Sequence, residues 1–266
     1  MRGPFSKRLV LWSLVWFGIV ILSMPTVIVI GASVTSGEIV RFPPDGFSLR
    51  WYRELLELDG FREALGRTFY VSVICTLISL PVGTLAALGS VRYRLRFYTG
   101  IQVYLLLPFT IPLVVSGISM MILFGEMRVL GSLWPIGLAL CIINLPFMIW
   151  SVSASVNELD PEIENAAANC GAPPVQAFLT VTLPAVMPGI ITGSLLMFIL
   201  AFNEFLVSLF LTDSRTVTLP VQIYNSIRGV ITPDLAAVSV VYIVIAIVAI
   251  WVLDRLVGLE IFLRSK

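Results

Sequence analysis

Asp160-Pro161-Glu162-Ile163-Glu164-Asn165-Ala166-Ala167-Ala168-Asn169-Cys170-Gly171-Ala172-Pro173-Pro174 is the stretch that decides how this chain folds. It opens a polar insert between two long apolar blocks, and the insert closes with Val181-Thr182-Leu183-Pro184. These residues specify a short helix with its own start and stop. Asp160 suits the N-cap and Pro161 the first helical position. Glu162 and Glu164 fall in the first turn, where the helix dipole favours negative charge. Gly171 suits the left-handed position beyond the C-terminus, and Pro173 and Pro174 forbid continuation. Ile163, Ala166, Ala167 and Cys170 recur at i, i+3, i+4 and i+7, so they share one helix face. That face is small and apolar, and another surface can approach it closely. A smooth helix on a loop between apolar blocks reads as a docking element for a partner.

The flanking blocks read as membrane spans. Hydrophobic residues make up 58% of the 266-residue chain and charged residues 12%. Soluble domains carry about 25% charged residues, so this composition, with a mean hydropathy of +0.98, belongs to a membrane protein. The length suits a single transmembrane domain over residues 1–266. A spanning helix needs about 20 mostly apolar residues. Six stretches qualify, at about residues 9–32, 68–90, 101–124, 133–156, 185–212 and 235–253, with the polar loop at 157–184. The first begins with Arg2, Lys7 and Arg8, like a signal peptide. Its apolar run is too long for one, and it reads as a retained span. The expected fold is all-α with six transmembrane helices.

Charge orients the spans. The loop Arg92-Tyr93-Arg94-Leu95-Arg96 has three arginines and no acid, which places it in the cytoplasm. The basic N-terminus agrees after two crossings, and the tail carries Arg255, Arg264 and Lys266. Both termini are therefore expected inside. The loop between the first two spans mixes Arg41, Arg50, Arg53, Arg62 and Arg67 with six acids, and long loops obey the rule poorly. The insert itself is awkward. Glu158, Asp160, Glu162 and Glu164 have no basic neighbour, which argues weakly against the cytoplasm. An even number of crossings nevertheless places it there.

Absences exclude chemistry. The chain has no His, so a Ser-His-Asp triad and histidine metal ligands are impossible. Its only lysines are Lys7 and Lys266, so no internal Gly-Lys-Ser/Thr phosphate loop exists. Cys75, Cys141 and Cys170 are scattered without disulfide or metal-ligand spacing. No catalytic residue is assigned and no metal site is expected. A net charge of +1 implies no nucleic-acid partner.

The insert resembles the EAA loop of the permeases of bacterial binding-protein-dependent ABC importers. There Glu-Ala-Ala, three residues, Gly, nine residues and Ile-x-Leu-Pro recur. Ala166, Ala167, Gly171, Val181, Leu183 and Pro184 stand at matching distances, and Asn165 occupies the place of the motif's Glu, beside Glu164. The segment Phe42-Pro43-Pro44 to Leu49-Arg50-Trp51-Tyr52 is similar to the first external loop of the spermidine/putrescine-type subfamily. An amphipathic stretch follows it to Arg62, and Trp51 and Tyr52 suit the membrane interface. The resemblance implies the type I importer fold in the bacterial inner membrane. It also implies a second permease subunit, more often a different chain, a separate ATPase dimer that binds ATP and Mg, and a substrate-binding protein. Ile163, Glu164, Ala166, Ala167, Cys170, Gly171, Leu183 and Pro184 would then couple to the ATPase. A secondary, ion-coupled carrier is the alternative class. It would need several deep ionisable residues and usually inverted repeats, and only Glu204 lies deep here.

Spans carry Pro81, Pro108, Pro112, Pro146 and Pro188, and Gly83, Gly117 and Gly193 permit close helix approach. Asn203 and Glu204 stand inside the fifth span, between Phe202 and Phe205. A carboxylate at membrane depth must be paired or face water. The segment resembles the Ser-Phe-Asp-Glu-Phe pattern of the polyamine-type subfamily, near the pathway between two permeases. No basic residue in nearby spans offers Glu204 a partner, which leaves a second permease, water or a cationic solute. An interhelical hydrogen bond is the structural alternative. Asn144 in the fourth span is a similar, weaker pathway candidate. Thr218-Leu219-Pro220-Val221, Tyr224 and Arg228 follow the fifth span outside and resemble an external stretch of the same subfamily.

Overall fold

Proline stands at the N-cap or in the first turn of most helices in the computed structural model, which describes residues 4–57, 59–92, 100, 104–105, 107–108, 110–228 and 232–257. Several expectations lie outside the described residues. They are the arginines at 94 and 96, Arg2, Arg264 and Lys266, and parts of the third expected span. The helices in chain order are α1 (Pro4–Ser33), α2 (Arg50–Glu57), α3 (Asp59–Arg92), α4 (Leu113–Glu126), α5 (Trp134–Glu158) and α6 (Pro161–Asn169). They continue as α7 (Pro174–Ala177), a π-helical turn (Phe178–Thr182), α8 (Leu183–Phe202), α9 (Leu206–Leu211), α10 (Leu219–Ile227) and α11 (Pro233–Val257). Among the described residues the only β pairing is an isolated bridge, Thr35 to Phe47.

Among the described residues four stretches are long and apolar enough to cross a membrane, namely Leu11–Ser33, Gly60–Arg92, Trp134–Glu158 and Pro174–Phe202. The third and sixth expected spans correspond to shorter apolar stretches, Leu113–Glu126 and Pro233–Val248. Three boundaries differ from expectation for identifiable reasons. The second long helix starts at Asp59 rather than near Thr68. The i,i+4 pair of Glu63 with Arg67 supports its polar first turns, where Phe61 and Ala64 are already buried. The expected third span is broken, because Pro112 has ψ 131° and serves as the N-cap of α4. Its ring fixes φ and removes an amide donor, so helix resumes only after it. The expected fifth span, 185–212, ends early at Phe202, and a separate short helix follows.

The described residues form two units. The first comprises residues 1–62 and 223–247. Within it the Trp51 indole donates to the Thr35 carbonyl at 2.8 Å, and the hydroxyls of Ser33 and Tyr52 meet at 2.6 Å. Trp51 and Leu55 bury the apolar side of α2. The apolar side chains of α1 point outward, as suits a helix solvated by lipid.

The second unit comprises residues 63–222 and 248–266. Its centre is Met148 of α5, which is fully buried. A Cβ added at Gly83 of α3 would lie 2.4 Å from Met148 Cγ, and one at Gly193 of α8 would lie 2.5 Å from its Sδ. Glycine on both flanking helices is what lets three backbones close on one thioether. The Ser151 hydroxyl donates to the Gly189 carbonyl at 2.9 Å and ties α5 to α8. Hydroxyls of Thr68, Ser72 and Thr76 bond back along α3, so these polar atoms enter the apolar interior satisfied. Cys75 and Cys141 are buried free thiols, and Cys170 is an exposed one.

Candidate docking and pathway sites

The insert folds as its residues dictate. Asp160 is extended (φ −67°, ψ 120°), and its Oδ1 accepts from the Glu162 amide at 2.9 Å. The helix runs Pro161–Asn169 with Cys170 as C-cap, one residue short of the expected end. Gly171 takes φ +87°. Its amide donates to the Ala168 carbonyl at 2.9 Å, and the Ala172 amide donates to the Ala167 carbonyl at 3.1 Å. Those two bonds close a Schellman motif, which needs a left-handed residue. None of the nine residues of α6 is buried, and Ile163 is 51% exposed. Ala166 and Cys170 are exposed beside it, and Ala167 is half-buried. Val175, at 71%, and Leu179, at 53%, extend this open apolar surface. Pro184 is exposed and Leu183 half-buried at the start of α8.

Glu164 and Asn165 have different surroundings. Asn165 donates to Glu162 Oε1 at 3.4 Å, within its own helix. Glu164 Oε1 accepts from the guanidinium of Arg92, the last residue of α3, and from the Thr182 hydroxyl in the π-helical turn. Arg92 is thus the counter-charge that the acidic insert lacks. It stands 72 residues away in the chain, and no local pattern announces it.

Glu204 also has partners, contrary to the expectation that it lacks one in this chain. Asn203 ends α8, its side-chain amide donating to the Ile199 carbonyl at 2.8 Å. The Glu204 carboxylate then accepts from the amides of Val207 (2.8 Å) and Ser208 (2.9 Å) and from the Ser208 hydroxyl (3.0 Å). These are amides that the first turn of α9 leaves unpaired. Phe210 of α9 packs so tightly on α4 that a Cβ at Gly117 would lie 2.8 Å from its ring. Glu204 therefore fixes a break on which a packed helix is set. Glu204→Ala should lower stability by about 1 kcal/mol, as loss of a cap does, and Glu204→Gln by less. Thermal unfolding in detergent measures this, and an unchanged Tm for Glu204→Ala would refute the capping role.

Asn144 is buried in α5, an element distinct from that break. Farther along, the Thr68 hydroxyl accepts from the Leu219 amide at 2.7 Å at the start of α10. The Arg228 guanidinium lies 5.7 Å from the Tyr224 ring centroid. Asp213 is held below the usual carboxylate range by the Thr216 hydroxyl and by the amides of Arg215 and Thr216. One feature escaped the sequence reading altogether. A cleft of about 250 Å³ lies between α5 and α8, with Ser151, Ser155, Glu158 and Thr192 on its walls. The first three recur at i, i+4 and i+7, a spacing that marks one polar face of α5.

Residues 79–259, which include the capped insert and the Glu204 break, match the family described as the binding-protein-dependent transport system inner membrane component. The chain belongs to that family. It is a permease component of an ABC importer and a multi-pass membrane protein. The putrescine transport system permease protein PotI of Escherichia coli K12 is 29% identical over 249 residues, covering 90% of this permease and 85% of that one. The spermidine/putrescine transport system permease protein PotC of Haemophilus influenzae is 26% identical over 212 residues, covering 80% and 82%. Among solved structures, a bacterial ABC transporter involved in the import of the acidic polysaccharide alginate matches with a TM-score of 0.73. It has 15% identity and covers 96% of this permease and 98% of that chain. The MetNI methionine ABC transporter matches at 0.60, with 19% identity, covering 80% and 98%. At such identities these likenesses establish the fold of the permease.

Proposed function

We propose that this permease imports small cationic solutes of the polyamine kind across the bacterial inner membrane, by alternating access driven by a separate ATPase dimer. The observation that carries the reading is the capped helix α6, none of whose residues is buried, between two long membrane helices. Its apolar face fits a groove on the ATPase, and closure of the ATPase on ATP would push α6 and tilt the spans it joins. ATP and Mg bind on the ATPase. The working unit includes a second permease subunit and a binding protein that delivers the solute. In this scheme the chain crosses the lipid six times, with both termini in the cytoplasm.

The substrate class rests on the relatives named for putrescine and spermidine and on the oxygens within the fold. Asn203, Glu204 and buried Asn144 would meet the solute along its route, and Glu158 with the hydroxyls of the α5–α8 cleft would receive it near the inner side. The test is uptake into vesicles carrying the permease pair, the ATPase and the binding protein. ATP-dependent accumulation of labelled putrescine, with little of a dicarboxylate or an oxyanion, is the expected result. Accumulation of the oxyanion instead would overturn the substrate class. Uptake without ATP would overturn the mechanism.

A further inference from the structure

Helix α6 is exposed on every side that a partner could press, so something must stop it from pivoting when pressed. Its backbone tethers are weak for this purpose. Leu159 is extended (φ −77°, ψ 119°) before it, and Gly171 is left-handed after it. Two of its side-chain hydrogen bonds, Asp160 with Glu162 and Asn165 with Glu162, stay within the helix and its cap. Glu164 alone among the described residues of α6 reaches other elements through hydrogen bonds, at Arg92 and Thr182.

We propose that Glu164, Arg92 and Thr182 form a strut that transmits displacement of α6 into the membrane helices. The inference rests on the docking reading above and names the parts that make docking mechanically effective. Arg92 ends α3, and Thr182 precedes α8 directly. Gly83 of α3 and Gly193 of α8 close on Met148 from either side. Force entering at Glu164 therefore reaches both neighbours of α5 at once. Thr182 is buried and the Glu164 side chain is 21% exposed, so the bonds are partly shielded from water, where ion pairs are weak. Asn165, one position along and about 100° round the helix, is free to face the partner. Glu164 is a positioning residue, distinct from the face that meets the ATPase.

The experiment uses the whole complex in vesicles with three readouts: ATPase retained on purification, ATP hydrolysed, and solute taken up per ATP. Arg92→Glu should retain the ATPase and hydrolyse ATP, while uptake per ATP falls about fivefold or more, the scale of a lost coupling between sites. Thr182→Val should lose less. The exchange Glu164→Arg with Arg92→Glu should recover most of the ratio, which a general folding defect would not allow. An unchanged uptake-to-ATP ratio in Arg92→Glu with the ATPase still bound would refute the strut alone. Loss of the ATPase from Arg92→Glu would also refute it, because the node would then belong to the docking contact. Failure of the unsubstituted permease to hold any ATPase would refute the docking reading itself.

Discussion

Gly171→Pro should abolish ATP-driven uptake while the permease still inserts and folds. Gly171 has φ +87°, and proline is locked near −65°. Proline also lacks the amide that bonds the Ala168 carbonyl. The Schellman motif cannot form, and the end of α6 must unwind. The damage stays local, because a Cβ at Gly171 would meet nothing within 4 Å and no residue of α6 is buried. Gly171→Ala pays only the left-handed penalty, about 1–2 kcal/mol, and should keep partial transport. Ala167→Trp attacks the same contact from outside, since its ring would stand on the small face without disturbing either cap. It should release the ATPase on purification. Normal uptake by Gly171→Pro would show that the shape of this helix does not matter to transport.

The second large effect is expected at Gly193→Leu. Its first added carbon would already lie 2.5 Å from Met148 Sδ and 3.3 Å from Ser151 Cβ. Overpacking of a filled core costs about 1–3 kcal/mol, and backbone close by leaves little room to yield. Expression and Tm in detergent should both fall clearly. Adding Met148→Ala should recover part of the loss, since the two sites share one contact and should not behave additively. A Tm unchanged by Gly193→Leu would contradict the helix packing.

What the chain disclosed in advance tracks how local each determinant is. Helix α6 was legible almost to the residue because its cap, dipole acids, glycine and prolines act within a few positions of one another. Apolar length located the membrane helices, yet it could not locate interruptions. Pro112 stands inside the expected third span, and it makes a full break before α4. Glu204 was noted as a costly charge in need of a partner. Its partners are the amides three and four residues on, so the same residue that flagged the site also ends the span. That spacing was available to inspection, whereas the bond from Arg92 to Glu164 was not. It depends on how α3 ends relative to the insert, a property of the assembled bundle.

Helix α6 seated against an ATPase is the central claim, and Cys170 on its exposed end reports on it directly. Maleimide labelling of the purified permease, with and without the ATPase dimer, is the measurement. Cys170 should react readily in the free permease and be strongly protected once the ATPase is bound, while the buried Cys75 and Cys141 stay unreactive in both. Equal labelling of Cys170 with the ATPase present and absent would contradict the account.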